Sequence, residues 1–148
     1  MIREGKINDI PSIVRMAQEF WKHTKYPDAP FCPNMVAGMA EHCIDNNMMA
    51  VVEIDGKVCG FCCGIKGPLL ASPNYFIGTE IAWWVDEEHR SGRNAIGLLK
   101  KMEKLAKEAG CIQWNMVFMY SSMPDFVEGM YEKMGYEPYE KSYGKRLI

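Results

Sequence analysis

The segment from Glu80 to Leu99 constrains the chain most. Glu80-Ile81-Ala82-Trp83-Trp84-Val85 is almost wholly apolar and reads as a central strand covered on both faces. It runs through the polar turn Asp86-Glu87-Glu88-His89-Arg90-Ser91-Gly92-Arg93 into an amphipathic helix beginning near Asn94. Ile96, Leu98, Leu99, Met102, Leu105, Ala106 and Ala109 form that helix's apolar face, and Gly110 ends it. A strand that feeds directly into a helix points the first unbonded N–H groups of the helix at one spot, and the macrodipole makes that spot attractive to anions. Arg90 and Arg93 add positive charge there, and the small residues Ser91, Gly92, Ala95 and Gly97 permit close approach to the backbone. The physical expectation is a phosphate or pyrophosphate cradle. The alternative is an ordinary strand-to-helix turn carrying two solvated arginines.

The 148 residues fit one domain, expected to span 1–148, with no room for a separate cofactor module. A chain this long buries roughly 70% of its unfolded surface. Hydrophobic residues make up 48% and charged residues 24%, the balance of a globular rather than a disordered chain. A net charge of −2 argues against a dedicated nucleic-acid binder. No apolar run is long enough to span a bilayer, and the opening Met1-Ile2-Arg3-Glu4-Gly5-Lys6 lacks a signal-peptide core, so a cytoplasmic protein is expected. Cys59 and Cys62 form one Cys-x-x-Cys without a second pair at zinc spacing. Within the strand-like Val58-Cys59-Gly60-Phe61-Cys62-Cys63 the two are expected on opposite faces, as reduced packing residues rather than a metal or redox pair.

The remaining pattern predicts a short first strand at Ile2-Arg3-Glu4 and a helix capped by Asn8 or Asp9, with Pro11 in its first turn. A Pro-rich loop over residues 26–33 precedes a second helix carrying Met35, Val36, Met39, Ala40, Cys43 and Ile44. Strands at 48–54 and 57–65 are joined by an Asp55-Gly56 hairpin turn. Residues 67–78 read as a loop, 111–119 as a fifth strand, 124–134 as a short helix stopped by Gly135, and the chain beyond Tyr136 as one or two terminal strands. The order is that of an α/β domain with a mixed sheet.

The turn Val85 to Leu99 resembles motif A of the GNAT N-acetyltransferase superfamily, Gln/Arg-x-x-Gly-x-Gly/Ala, with Arg90 first and Ala95 last. Arg93 stands where the family's first glycine is usual, with Gly92 one position earlier; the arginine-rich variant is similar to small phage-type acetyltransferases. The resemblance extends to Ile2-Arg3-Glu4 with Asp9-Ile10-Pro11-Ser12-Ile13, to the hairpin followed by Val58-Cys59-Gly60-Phe61, and to Met130-Tyr131-Glu132-Lys133-Met134-Gly135-Tyr136, which matches the family's Tyr-x-Lys-x-Gly-Phe/Tyr signature.

The resemblance implies a GNAT-like fold: a mixed, mostly antiparallel sheet splayed between its fourth and fifth strands and flanked by about four helices. It implies acetyl-CoA as cosubstrate, with pantetheine pairing to backbone near Trp84 and Val85 and the diphosphate resting on Arg90, Ser91, Gly92, Arg93, Asn94, Ala95 and Ile96. Tyr131 matches the family's general-acid tyrosine. Glu80 is the candidate base, offset by one residue from the commonest position, so that its face depends on a bulge. Pro124 stands where the family often has an asparagine, and Asn115 is a substitute. Tyr26, Asp28, Phe31, Tyr75 and Phe76 are candidates to line the acceptor site. The expected activity is acetyl transfer to a primary amine of a small molecule or peptide, without nucleic acid or membrane; the apolar strands permit a homodimer. Two other readings are a non-catalytic CoA-binding or protein-interaction domain and a redox or zinc protein built on Cys59 and Cys62.

Overall fold

Apolar alternation along the chain pairs five strands into one sheet in the computed structural model, which describes residues 1–26, 28–119 and 124–147. The chain divides into two compact units, Met1–Val117 and Phe118–Ile148. In the first unit the elements run β1 (Ile2–Glu4), α1 (Ile10–Trp21), α2 (Pro33–Asp45), β2 (Met49–Ile54), β3 (Lys57–Leu69), β4 (Ser72–Val85), α3 (Gly92–Glu108) and β5 (Cys111–Asn115). Spatial order follows chain order; β1 to β4 pair antiparallel, and β5 lies parallel to β4.

Two apolar layers sandwich the sheet. Ile13 and Met16 of α1 and Ala40 and Cys43 of α2 pack on Met49, Val51, Phe61, Cys63 and Ala82. Leu98, Met102, Leu105 and Ala106 of α3 cover the other face, on Met48, Ala50, Val52, Cys62 and Val85. Asp55 and Gly56 take φ of 50° and 76°, the left-handed pair of a type I′ turn, as their sequence demands. α1 begins after Asp9, but the Asp9 carboxylate does not cap it. It accepts two bonds from Arg3 (2.7 and 2.9 Å) and one from the Lys6 N–H (2.8 Å), tying the helix start to β1.

Several expectations are corrected. Residues 67–78 are not a loop: β3 and β4 extend as one long hairpin, with Pro68 opposite Phe76 and Leu69 opposite Ser72. β5 ends at Asn115, and residues 136–147 contain no strand. Cys59 and Cys62 share the α3 face. Val52 pairs with Gly60 and Glu53 with Val58, so Cys59 is the extra residue of a bulge that undoes the simple alternation. The six cysteines are free thiols. Pro27, part of the Pro-rich loop, lies outside the described residues.

The second unit contains α4 (Pro124–Lys133). Gly135, at φ 86°, ends it in a Schellman cap, with the Tyr136 N–H donating to the Tyr131 carbonyl and the Gly135 N–H to that of Glu132, both at 3.0 Å. No helix among the described residues is long and apolar enough to cross a membrane.

Candidate active site

β4 and β5 pair only from Phe76–Cys111 to Thr79–Asn115. Beyond Thr79 the two strands part, and residues 80–85 of β4 have β3 on one side and no strand on the other among the described residues. The pairing end is fixed by a wedge. A Cβ on Gly64 would meet the Thr79 carbonyl at 2.4 Å and the Trp114 ring at 2.5 Å, and one on Gly78 would meet that ring at 2.7 Å. Two glycines thus make a floor on which the β5 indole lies flush with the sheet.

Directly past this wedge β4 has its own bulge. Cys63 pairs with Ala82 and Gly64 with Glu80, leaving Ile81 extra. Strict alternation would put Glu80 on the face of Ala82 and Trp84. The bulge turns it to the other face, that of Gly64, Cys62 and Val85. Glu80 is 7% exposed, and its carboxylate oxygen accepts one long bond, 3.4 Å, from the Val117 N–H just past β5. Burial raises its pKa from 4.5 to about 7, and that single weak donor pulls the other way. A carboxyl poised near neutrality at the opening of a strand cleft can exchange protons at working pH.

After β4 the helix α3 begins at Gly92, two residues before the expected Asn94. Ser91 caps α3, its hydroxyl accepting from the Asn94 N–H at 3.2 Å, and the Ala95 N–H donates to the Ser91 carbonyl at 3.0 Å. The Arg90 N–H is taken up by the Glu87 carbonyl at 3.2 Å. The N–H groups of Ser91, Gly92 and Arg93 remain without a protein acceptor among the described residues, at an exposed helix start. A Cβ at Gly92 would meet nothing within 4 Å, so the space before these donors is open. The Arg90 guanidinium is anchored: its Nε donates to the Val85 carbonyl at 2.9 Å, and it lies over the Trp84 ring, 4.5 Å from the centroid. A fixed arginine fork and three open N–H groups fit a diphosphate. The donor set is narrower than the seven expected residues, because the N–H groups of Arg90, Asn94 and Ala95 are already bonded within the turn.

The other candidates are placed as follows. Trp84 faces α1, near Phe20 (6.4 Å) and His23 (5.5 Å), whereas Trp83 packs on the α3 side. The Asn115 amide oxygen accepts from Gln113 at 2.6 Å. Tyr26 is exposed and stacks on Trp21 at 6.1 Å, and Phe31 packs against the α1–α2 layer. Asp28 is exposed in the connection before α2. Tyr75 and Phe76 lie on the long hairpin, with Lys66 Nζ 4.8 Å from the Phe76 centroid. In the second unit Tyr131 is 7% exposed between Phe118 (6.3 Å) and Tyr136 (5.5 Å). No group of three or more His, Cys, Asp or Glu among the described residues stands close enough to hold a metal. Arg15 and Asp86, which no motif in the sequence singles out, form an ion pair across 71 residues beside the turn. Only the placement of α1 against the end of β4 could reveal it.

The family model described as the Acetyltransferase (GNAT) family matches residues 10–136. The chain belongs to the GNAT acetyltransferase family. The acetyltransferase has no significant match among curated protein sequences. Its fold is shared with solved structures at low identity. A ribosomal-protein-alanine N-acetyltransferase from Brucella melitensis biovar Abortus 2308 aligns at 17% identity and TM-score 0.71, covering 99% of both chains. A predicted acetyltransferase with acetyl-CoA from Clostridium acetobutylicum aligns at 16% and 0.73, over 99% of this chain and 96% of that one. A transcriptional regulator from Bacillus halodurans C-125 aligns at 20% and 0.76, over 99% of both. The acetyltransferase therefore has the GNAT fold, with its sheet splayed between β4 and β5.

Proposed function

We propose that this acetyltransferase moves the acetyl group of acetyl-CoA directly to a primary amine of a small molecule or peptide, and that residues 1–148 act as one catalytic domain. The observation that carries this is the buried Glu80 carboxyl at the point where β4 and β5 part, six residues before Asp86 opens the anion-binding turn. The family match, which spans parts of both compact units, supports treating them as one functional domain.

In this reading the unpaired side of β4 near Trp84 and Val85 takes the pantetheine arm as an added strand. Arg90 and the N–H groups of Ser91, Gly92 and Arg93 hold the diphosphate. Asn94, Ala95 and Ile96 shape the helix start behind them. Glu80, ionised above about pH 7, takes a proton from the incoming ammonium, directly or through water, so that a neutral amine attacks the thioester carbonyl. The new C–N bond forms, the C–S bond breaks, Tyr131 donates its phenolic proton to the leaving thiolate, and the proton lost from the attacking nitrogen restores the phenol through solvent. Tyr26, Asp28 and Phe31 line the acceptor side.

The test is a thermal-shift titration with acetyl-CoA, followed by detection of CoA release across an amine panel. A rise in melting point and amine-dependent release are expected. Stabilisation without turnover of any amine would make the chain a CoA-binding domain, and no stabilisation at saturating acetyl-CoA would refute the reading.

A further inference from the structure

We propose that Arg15 of α1 is a positioning residue for the anion-binding turn: through Asp86 and Trp84 it fixes the orientation in which Arg90 receives the cosubstrate's diphosphate. This rests on the acetyl-CoA reading above. Arg15 Nη1 and Nη2 donate to the two oxygens of Asp86 at 3.1 and 2.5 Å, a two-point pair across 71 residues. Asp86 follows β4 directly; its N–H donates to the Cys59 carbonyl at 2.8 Å, which fixes its backbone to β3. The oxygen that meets Arg15 Nη1 also accepts from the Trp84 indole Nε1 at 3.2 Å. Trp84 is thereby pinned at its polar tip, while Phe20 of α1 and His23, two residues past its end, pack near its ring. On that ring lies the Arg90 guanidinium, whose Nε is spent on Val85 and whose two terminal nitrogens make no hydrogen bond among the described residues.

The chain of contacts has a physical purpose. An exposed arginine samples many rotamers, and ordering it on binding costs affinity. A guanidinium held by one hydrogen bond and an aromatic face has less freedom to lose, and its planar fork suits phosphate oxygens. The indole can serve as that face only while its tilt is fixed. Asp86 fixes the tilt, and Arg15 holds the carboxylate, whose side chain is 13% exposed, in the one geometry that reaches both partners. Arg15 itself is half exposed, so its replacement leaves no cavity in the core.

The experiment measures dissociation constants of CoA and of pantetheine, which lacks the diphosphate, by calorimetry. It uses wild type, Arg15→Met, Arg15→Lys, Arg90→Met and the Arg15→Met/Arg90→Met double variant. Arg15→Met is expected to weaken CoA about tenfold, the upper end of what ordering one long side chain costs, and to leave pantetheine unchanged. Arg15→Lys should recover part of the loss. The double variant should bind CoA no more weakly than Arg90→Met alone, because Arg15 acts through Arg90. Unchanged CoA affinity in Arg15→Met, an equal loss for both ligands, or additive losses in the double variant would each overturn the assignment. Wild type that binds CoA no better than pantetheine would instead refute the diphosphate reading itself.

Discussion

Replacing Glu80 by Gln isolates the cost of placing a carboxyl at the strand opening. Burial raises the Glu80 pKa from 4.5 to about 7. Below pH 4.5 the carboxyl is protonated in both folded and unfolded chains, and burial carries no ionic cost. Between 4.5 and 7 the unfolded chain binds fewer protons than the folded one, so stability falls as pH rises. Above 7 both states are ionised and the full cost is present. At about 1.4 kcal/mol for each pH unit, that cost is about 3 kcal/mol. Gln keeps the shape and an acceptor for the Val117 N–H but never ionises. Urea unfolding of both proteins across pH 4.5 to 8 should therefore show Glu80→Gln gaining about 3 kcal/mol relative to wild type. Other titrating groups, such as Asp9, act in both proteins and cancel in the difference. The same group should appear in catalysis as loss of kcat/KM below about pH 7, a limb absent from the variant's residual activity. A stability difference that does not change with pH would refute the buried, high-pKa carboxyl.

Gly64→Ala forces a methyl group against the Thr79 carbonyl and the Trp114 ring, so it should lower unfolding stability by about 2 kcal/mol, read from the urea midpoint. Tyr131→Phe should reduce kcat about a hundredfold with CoA affinity unchanged, which a calorimetric titration beside the steady-state assay would show. At Asp9, burial works against ionisation, but the Arg3 guanidinium and the Lys6 N–H outweigh it and hold the pKa below its usual value. Asp9→Asn should therefore cost about 2 kcal/mol at neutral pH, and the difference from wild type should disappear in strong acid as Asp9 itself protonates.

The parts of this molecule that were legible in its sequence depend on local chemistry. The Asp55-Gly56 turn and the glycine that stops α4 need only neighbouring residues to specify them. The strand–turn–helix around Arg90 is equally local, which is why that succession of elements could be expected before any fold was known. What escaped depends on pairing between strands. The hairpin extends through residues 67–78 because β3 and β4 zip together past Pro68, although Gly, Pro and Asn there carry turn signals. Cys59 and Cys62 share a face because of a bulge specified by the partner strand. The pair Arg15–Asp86 needs the helix to be docked before its members meet.

The bulge at Ile81 has a consequence for any change in the length of this protein. In a strand, faces alternate like a two-letter reading frame, and Ile81 is a single-letter insertion in it. Deleting Ile81 would repair the alternation and leave Glu80, then directly before Ala82, on the face opposite Ala82 and Trp84 that it holds now. No ionisable group would be lost, and the composition would differ by one isoleucine. The carboxyl would keep its face, although one residue between it and the turn had gone. Distance along the chain therefore misstates the site: the spacing that matters between Glu80 and Arg90 is counted in sheet positions, one fewer than the residues between them.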